Sequence, residues 1–240
     1  MYRQASFFLL STMALSLSGC SGDVNDNVTR IAFIGEPSDL ADNGVRLAPA
    51  GQHLRAATAE GLVGLNDIGE VVPALAERWI VTEDGLSYIF RLRNSDWPDG
   101  TAISSQNVRN ALQRNLTQLQ DTSLGVDLSI ISEVRAMTGR VIEIRLKSPM
   151  PQFLQLVAQP ELGLRRNGTG IGPMISENVD GNTTLSVASP DQRGLPMQDN
   201  WQRGFRQIQL LSIPAQEASA AFEAGEADAV TGLRGDGLPV

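Results

Sequence analysis

Residues 73–108 read PALAERWIVTEDGLSYIFRLRNSDWPDGTAISSQNV and predict a β-hairpin followed by a helix. In the second strand of the hairpin, apolar side chains alternate with polar ones, as in a strand that covers a core on one side only. The apolar positions are Leu86, Tyr88, Phe90 and Leu92, the polar ones are Ser87, Arg91 and Arg93, and Ile89 is the exception. Glu83-Asp84-Gly85 predicts the tight turn that pairs this strand with residues 79–81.

The helix is predicted to begin after a second turn at Asp99-Gly100. Ser104 or Ser105 is the candidate N-cap, because a serine hydroxyl can accept a hydrogen bond from the free backbone N–H groups of the first turn. Outside this stretch, apolar spacing predicts alternating strands and helices. We expect strands at residues 28–34, 127–134, 140–147, 184–188, 206–213 and 228–231, and helices at residues 52–63, 149–159 and 214–225.

Three pieces of the opening stretch resemble, in order and spacing, family 5 of the bacterial extracellular solute-binding proteins, the peptide- and nickel-binding components of ABC importers. The family pattern is PALAESW, then DGLTYTFxLR, then an aromatic residue before DGTPxTAEDV. Here the pieces stand as PALAERW, EDGLSYIFRLR and WPDGTAISSQNV, with Ser105-Gln106-Asn107 replacing the usual Ala-Glu-Asp. Two later segments also match, IEIRLKSPMPQFLQLVAQP and AAFEAGEADAV.

The resemblance implies an α/β fold of the periplasmic-binding-protein-like type II class. It implies that residues 28–240 form the N-terminal part of the solute-binding domain, a first lobe with a mixed sheet and a β-hairpin subdomain. Family members continue into a second lobe, which we do not expect residues 28–240 to form. We therefore expect either a fragment of a longer protein or a shortened relative that has lost ligand capture.

Composition excludes one class of partner and favours none by itself. The chain has 240 residues, a formal net charge of −8 and 42% hydrophobic residues, which suits an ordinary globular protein. Such an acidic balance argues against nucleic acid, since phosphate binding requires clustered cations.

The first 27 residues predict a leader and a tether. A short apolar run, residues 5–17, follows Tyr2 and Arg3 and is too short to span a bilayer, which is typical of a signal peptide. The run ends at Leu17-Ser18-Gly19-Cys20, which resembles the lipobox of bacterial lipoproteins, and Cys20 is the only cysteine. We expect residues 1–19 to be removed, Cys20 to carry the lipid, and polar residues 20–27 to form a tether. Ser21 predicts sorting away from the inner membrane, with the outer membrane as the alternative location of the anchor.

Ligand contacts are predicted at loops, and the candidates are Glu60, Gly61 and Trp201. The resembling family has an aromatic residue before its Glu-Gly-Leu triplet, where Ala59 stands here. The glycines of residues 167–173 do not predict a phosphate-binding loop, because no clean strand precedes them and no Lys-Ser or Lys-Thr follows. A simpler explanation of these glycines is backbone permissiveness, the ability of glycine to adopt backbone conformations that other residues avoid.

No catalytic constellation is predicted. The sequence has no His-Glu-x-x-His, no paired cysteines and no Gly-x-Ser-x-Gly, and the single histidine, His53, lacks a defined acid partner. We therefore expect no enzyme activity, no cofactor and no metal. The predicted function is a lipid-anchored periplasmic solute-binding component of an ABC transporter, importing oligopeptides or another small solute through permease subunits. The alternative is a non-transport envelope lipoprotein that acts as an interaction module.

Overall fold

A computed structural model describes residues 27–40, 44–179, 182–197, 199–204 and 207–232. The predicted signal peptide, Cys20 and all but the last residue of the predicted tether lie outside the described residues. The described part of the chain contains two main β-sheets, each with an α-helix packed against it.

Thirteen strands and five α-helices are present in the described residues. The strands are β1 (Val28–Ile34), β2 (Val63–Leu65), β3 (Val71–Pro73), β4 (Ala76–Val81), β5 (Ser87–Leu92), β6 (Ile131–Met137), β7 (Val141–Leu146), β8 (Arg165–Arg166), β9 (Thr169–Gly170), β10 (Met174–Val179), β11 (Asn182–Val187), β12 (Gln207–Ile213) and β13 (Ala229–Thr231). The helices are α1 (Pro49–Thr58), α2 (Ser105–Leu119), α3 (Ser123–Leu128), α4 (Phe153–Val157) and α5 (Ala218–Glu223).

The first sheet is mixed and has the order β10-β11-β12-β1-β13. Strand β1 lies between β12 and β13 and is parallel to both, whereas β10, β11 and β12 are antiparallel neighbours. Helix α1 packs on this sheet through Ala50 and Leu54, which share a small core with Phe33, Leu185 and Leu210. His53 contacts the ring of Phe33 at a centroid distance of 5.4 Å, so the single histidine has a packing role.

The second sheet is antiparallel, with the order β4-β5-β7-β6, and contains the predicted hairpin. The alternation in β5 is confirmed, because Tyr88, Phe90 and Leu92 are buried in the larger core while the residues between them are half-exposed. Helix α2 covers the inner face of this sheet through apolar residues with helical spacing. That core is larger than the core under the first sheet and extends from Val45 to Ile171.

The outer face of the second sheet holds one nearly buried carboxylate. Glu143 accepts hydrogen bonds from Arg145 Nε at 2.9 Å and from Ser87 Oγ at 3.2 Å, and Arg135 Nη1 lies 3.7 Å away. Burial alone would raise the pKa of Glu143, but the hydrogen bond and charge of Arg145, with Ser87 and Arg135, hold that pKa below its ordinary value. The nearly buried charge of Glu143 on this face of the sheet is therefore paired with Arg145 and Arg135.

The start of α2 shows which serine caps the helix. Ser104 is the N-cap: its hydroxyl accepts from Asn107 N at 3.3 Å, and Asn107 Oδ1 accepts from Ser104 N at 3.0 Å. This reciprocal pair is a capping box in which asparagine stands where glutamate or glutamine is usual. Ser105 instead lies with its Oγ 2.8 Å from the carbonyl oxygens of Met137 and Gly139, which ties the helix to the turn between β6 and β7.

Several sequence predictions are wrong in detail. Residues 127–134 were expected to form one strand, yet Thr122 caps the short helix α3 and the strand begins only at Ile131. Strand β10 was not predicted, and neither were the short strands β2, β3, β8 and β9. Helix α5 buries Ala218 and Ala221, whereas its Phe222 is 57% exposed.

Candidate functional site

The predicted helix over residues 52–63 ends early, at Thr58, and this places Glu60 in a loop. The backbone carbonyl groups at this end bond to other segments: Gly172 N donates to Thr58 O at 2.9 Å, and Leu164 N donates to Glu60 O at 2.8 Å. Since these partners replace further helical hydrogen bonds, the chain leaves the helix in an extended conformation and enters β2.

Glycines allow this close approach. A β-carbon on Gly170 would lie 2.7 Å from Ala59 Cβ, and one on Gly163 would lie 3.0 Å from the same atom. Gly168 has a positive φ of 84°, as backbone permissiveness predicts, but Gly170 and Gly172 do not. Gly170 and Gly172 have no room for a side chain, because their backbone lies in contact with the backbone of residues 57–59. Ala59 is buried against these backbone contacts, and it also lines the cavity beside Glu60 that is described below.

Glu60 forms the centre of a buried ionic cluster. Its Oε2 lies 2.6 Å from Arg93 Nη1, and its Oε1 accepts a hydrogen bond from Arg193 Nη2. Glu60 and Arg93 are each only 8% exposed. Arg93 also donates from Nε to the carbonyl oxygen of Arg193 at 2.7 Å and from Nη1 to that of Ala74 at 2.5 Å.

The cluster joins three distant parts of the chain. Glu60 follows α1, Arg93 follows β5 in the second sheet, and Arg193 lies in the turn between β11 and β12 of the first sheet. The expectation that Arg93 faces outward with Arg91 is wrong, because the strand ends at Leu92 and the next side chain turns inward to Glu60. Arg193 carried no sequence signal.

Two guanidinium groups against one carboxylate leave one excess positive charge. Among the described residues, Arg93 Nη2 and Arg193 Nε are buried and have no hydrogen-bond partner. Buried donors without partners are unfavourable, and a carboxylate or carbonyl oxygen would satisfy them. The cluster can therefore accept an acidic or carbonyl-bearing group.

A cavity of about 750 Å³ lies against this cluster and is lined by Glu60, Gly61, Arg93 and Arg193. Its other walls come from the β2–β3 hairpin, the start of β4 and residues 158–163. The volume falls within the range of pockets that hold small molecules. A β-carbon on Gly61 would lie 3.1 Å from the carbonyl oxygen of Val63, so this position is restricted by the backbone.

The remaining predicted site residues lie elsewhere. Trp201 is half-buried in the turn over residues 199–204 and does not line the cavity. Cys20 lies outside the described residues. Within the described ranges, no group of three or more His, Cys, Asp or Glu side chains is placed to hold a metal ion. None of the helices in these ranges has the length and apolar character needed to cross a membrane.

Comparison with known proteins places the chain among solute-binding proteins. The family model described as "Bacterial extracellular solute-binding proteins, family 5 Middle" matches residues 70–240. A probable deoxycholate-binding periplasmic protein of Escherichia coli K12 is 30% identical over 121 residues, which cover 43% of this chain and 23% of the relative. The dipeptide-binding protein DppE of Bacillus subtilis is 28% identical over 117 residues, 42% of this chain and 22% of the relative.

A solved structure supports the same fold. The binding protein MoaA of A. tumefacien R10, in complex with mannopinic acid, superposes with a TM-score of 0.69 at 20% identity. The match covers 85% of this chain and 45% of that one. The predicted fold, α/β and periplasmic-binding-protein-like of type II, is confirmed. The chain spans less than a quarter of the length of the two curated relatives and less than half of the solved structure.

Proposed function

Because the chain belongs to family 5 of the bacterial extracellular solute-binding proteins, we propose that it serves as a periplasmic solute-binding component of an ABC importer and binds oligopeptides. The observation that carries this proposal is the family match over residues 70–240. The name of one relative, a dipeptide-binding protein, favours a peptide over the other solutes. Permease subunits of the importer are the proposed protein partners.

The cavity beside Glu60 is the proposed solute-binding site. The unpartnered N–H groups of Arg93 and Arg193 favour a ligand with carboxylate or carbonyl oxygens, and a peptide carries both. Glu60 acts here by holding the two arginines, and Gly61 lines the cavity beside them. Trp201 remains a weaker candidate, since it does not line this cavity.

A binding experiment on the full-length protein tests this function. Thermal stability is measured with a dipeptide, glutathione, deoxycholate and Ni²⁺, because a ligand that binds only the folded protein raises the melting temperature with concentration. We expect peptides to stabilise the protein and Arg193→Gln to weaken that effect, whereas Arg203→Gln, which removes an exposed arginine, should not. Binding of none of these solutes would refute the transport function and leave the envelope interaction module as the alternative.

The lipid anchor at Cys20 is the second part of the proposal. Its support is the sequence alone: an apolar leader that ends in Leu17-Ser18-Gly19-Cys20. Several acyl chains on one cysteine hold a protein at a membrane far better than one chain does. Cys20→Ser should therefore move the protein from the membrane fraction to the soluble periplasmic fraction. Retention in the membrane fraction after that change would contradict the anchor.

A further inference from the structure

We propose that the groove between helix α2 and the β8–β9 hairpin binds a small oxyanion, a carboxylate- or phosphate-bearing solute, through Arg114 and Trp97. This groove shares no lining residue with the cavity beside Glu60. The proposal therefore goes beyond the solute site and does not depend on it.

The groove is built from two elements that the fold brings side by side. Asn107, Asn110 and Arg114 lie on one face of α2 at helical spacing, and Arg165 and Arg166 form strand β8 of the facing hairpin. Trp97 from the loop before α2 also lines the groove. The volume of the groove is about 500 Å³, which is enough for a small organic anion.

Positive charge is concentrated here in a chain whose net charge is −8. The lining residues include three arginines and no Asp or Glu. Asp99 lies 2.8 Å from Arg166 Nε and neutralises that guanidinium. Arg165 Nε donates to the carbonyl oxygen of Gly168 at 2.9 Å, which orients its side chain.

Arg114 carries the positive charge in this groove that is available to an anion. Among the described residues, no hydrogen bond or ion pair engages its guanidinium group, and the side chain is exposed on α2. A planar guanidinium presents paired N–H donors that match the two oxygens of a carboxylate or phosphate. Arg114 is therefore placed to make the main ionic contact.

Trp97 supplies an independent observation. The residue is only 3% exposed, and its indole N–H is buried without a hydrogen-bond partner among the described residues. Indole and guanidinium groups are hydrogen-bond donors and cannot accept. The arginines and the indole N–H of the residues that line the groove are all donors, so an anion suits this lining better than a cation.

Titration calorimetry of the full-length protein with inorganic phosphate and with citrate, at constant ionic strength, tests the proposal. We expect one of the two anions to bind, and Arg114→Gln to weaken its binding by about tenfold or more, since a hydrogen bond to a charged group contributes that much. Arg78→Gln is the matched control, because Arg78 is an exposed arginine on β4 away from the groove. The affinity of the Arg78→Gln variant for the anion should stay within about twofold of the wild-type value, because a distant charge is screened by the salt.

Indole resonances locate the bound anion. The chain has three tryptophans, so a ¹H–¹⁵N spectrum should contain three indole signals, and Trp97→Phe assigns one of them. We expect only the Trp97 signal to move on addition of the anion, because the N–H gains an acceptor. Absence of binding by both anions, equal weakening in Arg114→Gln and Arg78→Gln, or an unmoved Trp97 signal would each overturn the proposal.

Discussion

The substitution Glu60→Gln separates a structural role of this carboxylate from a ligand-binding one. Glutamine keeps the size of the side chain and one acceptor oxygen but removes the negative charge. Arg93, 8% exposed, then remains buried with no carboxylate partner, and Arg193 loses its ionic contact as well. Removing one partner of a buried ion pair is unfavourable because the other charge stays desolvated.

The expected loss is about 3 kcal/mol of the free energy of unfolding, at the lower end of the range of about 3–5 kcal/mol for breaking a buried pair. We take the lower end because glutamine still accepts one hydrogen bond. With a urea m-value of about 3 kcal/mol/M, the midpoint of unfolding should fall by about 1 M. Urea unfolding followed by circular dichroism measures this midpoint.

Glu77→Gln is the matched control. Glu77 lies 3.7 Å from Arg91 Nε, and both side chains are nearly half exposed, at 47% and 43%. A surface pair of this kind contributes about 0–1 kcal/mol, so its loss should lower the midpoint by no more than about 0.3 M. If the two substitutions had equal effects, the buried cluster would not stabilise the fold. If Glu60→Gln abolished peptide binding at unchanged stability, Glu60 would be a ligand contact instead.

Two further predictions concern a close approach and a titrating turn. Gly170→Ala should lower the free energy of unfolding by about 1–3 kcal/mol, the typical effect of overpacking, because its β-carbon would overlap the backbone of Thr58. Thermal or urea unfolding measures this loss. Gly64→Ala is the control and should be tolerated in the same assay, because its β-carbon would meet nothing within 3.8 Å. The pKa of Asp84 should lie below its ordinary value, because the Thr82 hydroxyl and a backbone N–H donate to the carboxylate. The stabilisation from this depressed pKa is present above the unfolded-state pKa and is lost as the pH falls through the folded-state pKa. Carboxyl ¹³C NMR measures the titration directly, and an ordinary or raised pKa would contradict the hydrogen bonds to Asp84.

The hairpin and its core face could be predicted because they depend on neighbours in sequence. Alternation over residues 86–92 and the Asp-Gly turn specify the strand pair, and the structure has the same inward set of Tyr88, Phe90 and Leu92. Strands β1, β7 and β12 were likewise evident from local apolar spacing. The family resemblance then implied the larger arrangement of sheets, which the comparisons confirm.

The candidate site was only partly predictable. Glu60 and Gly61 were identified by resemblance, but their partners Arg93 and Arg193 are 33 and 133 residues from Glu60 along the chain. No periodic pattern reports a contact over that separation. Alternation even assigned Arg93 to the exposed face, because the pattern continues one residue past the end of the strand.

Sequence by itself determined the strand and turn chemistry of residues 73–108 and the family, since both depend on the short-range order of residue types. The leader with Cys20 stays a prediction from the same kind of local pattern. Tertiary structure alone decided which charges are buried. It brought Glu60, Arg93 and Arg193 together from a loop and two sheets, and it pressed Gly170 against the end of α1. The physical reason is that the cost of burying a charge or closing a backbone contact depends on segments distant in sequence, which local patterns do not contain.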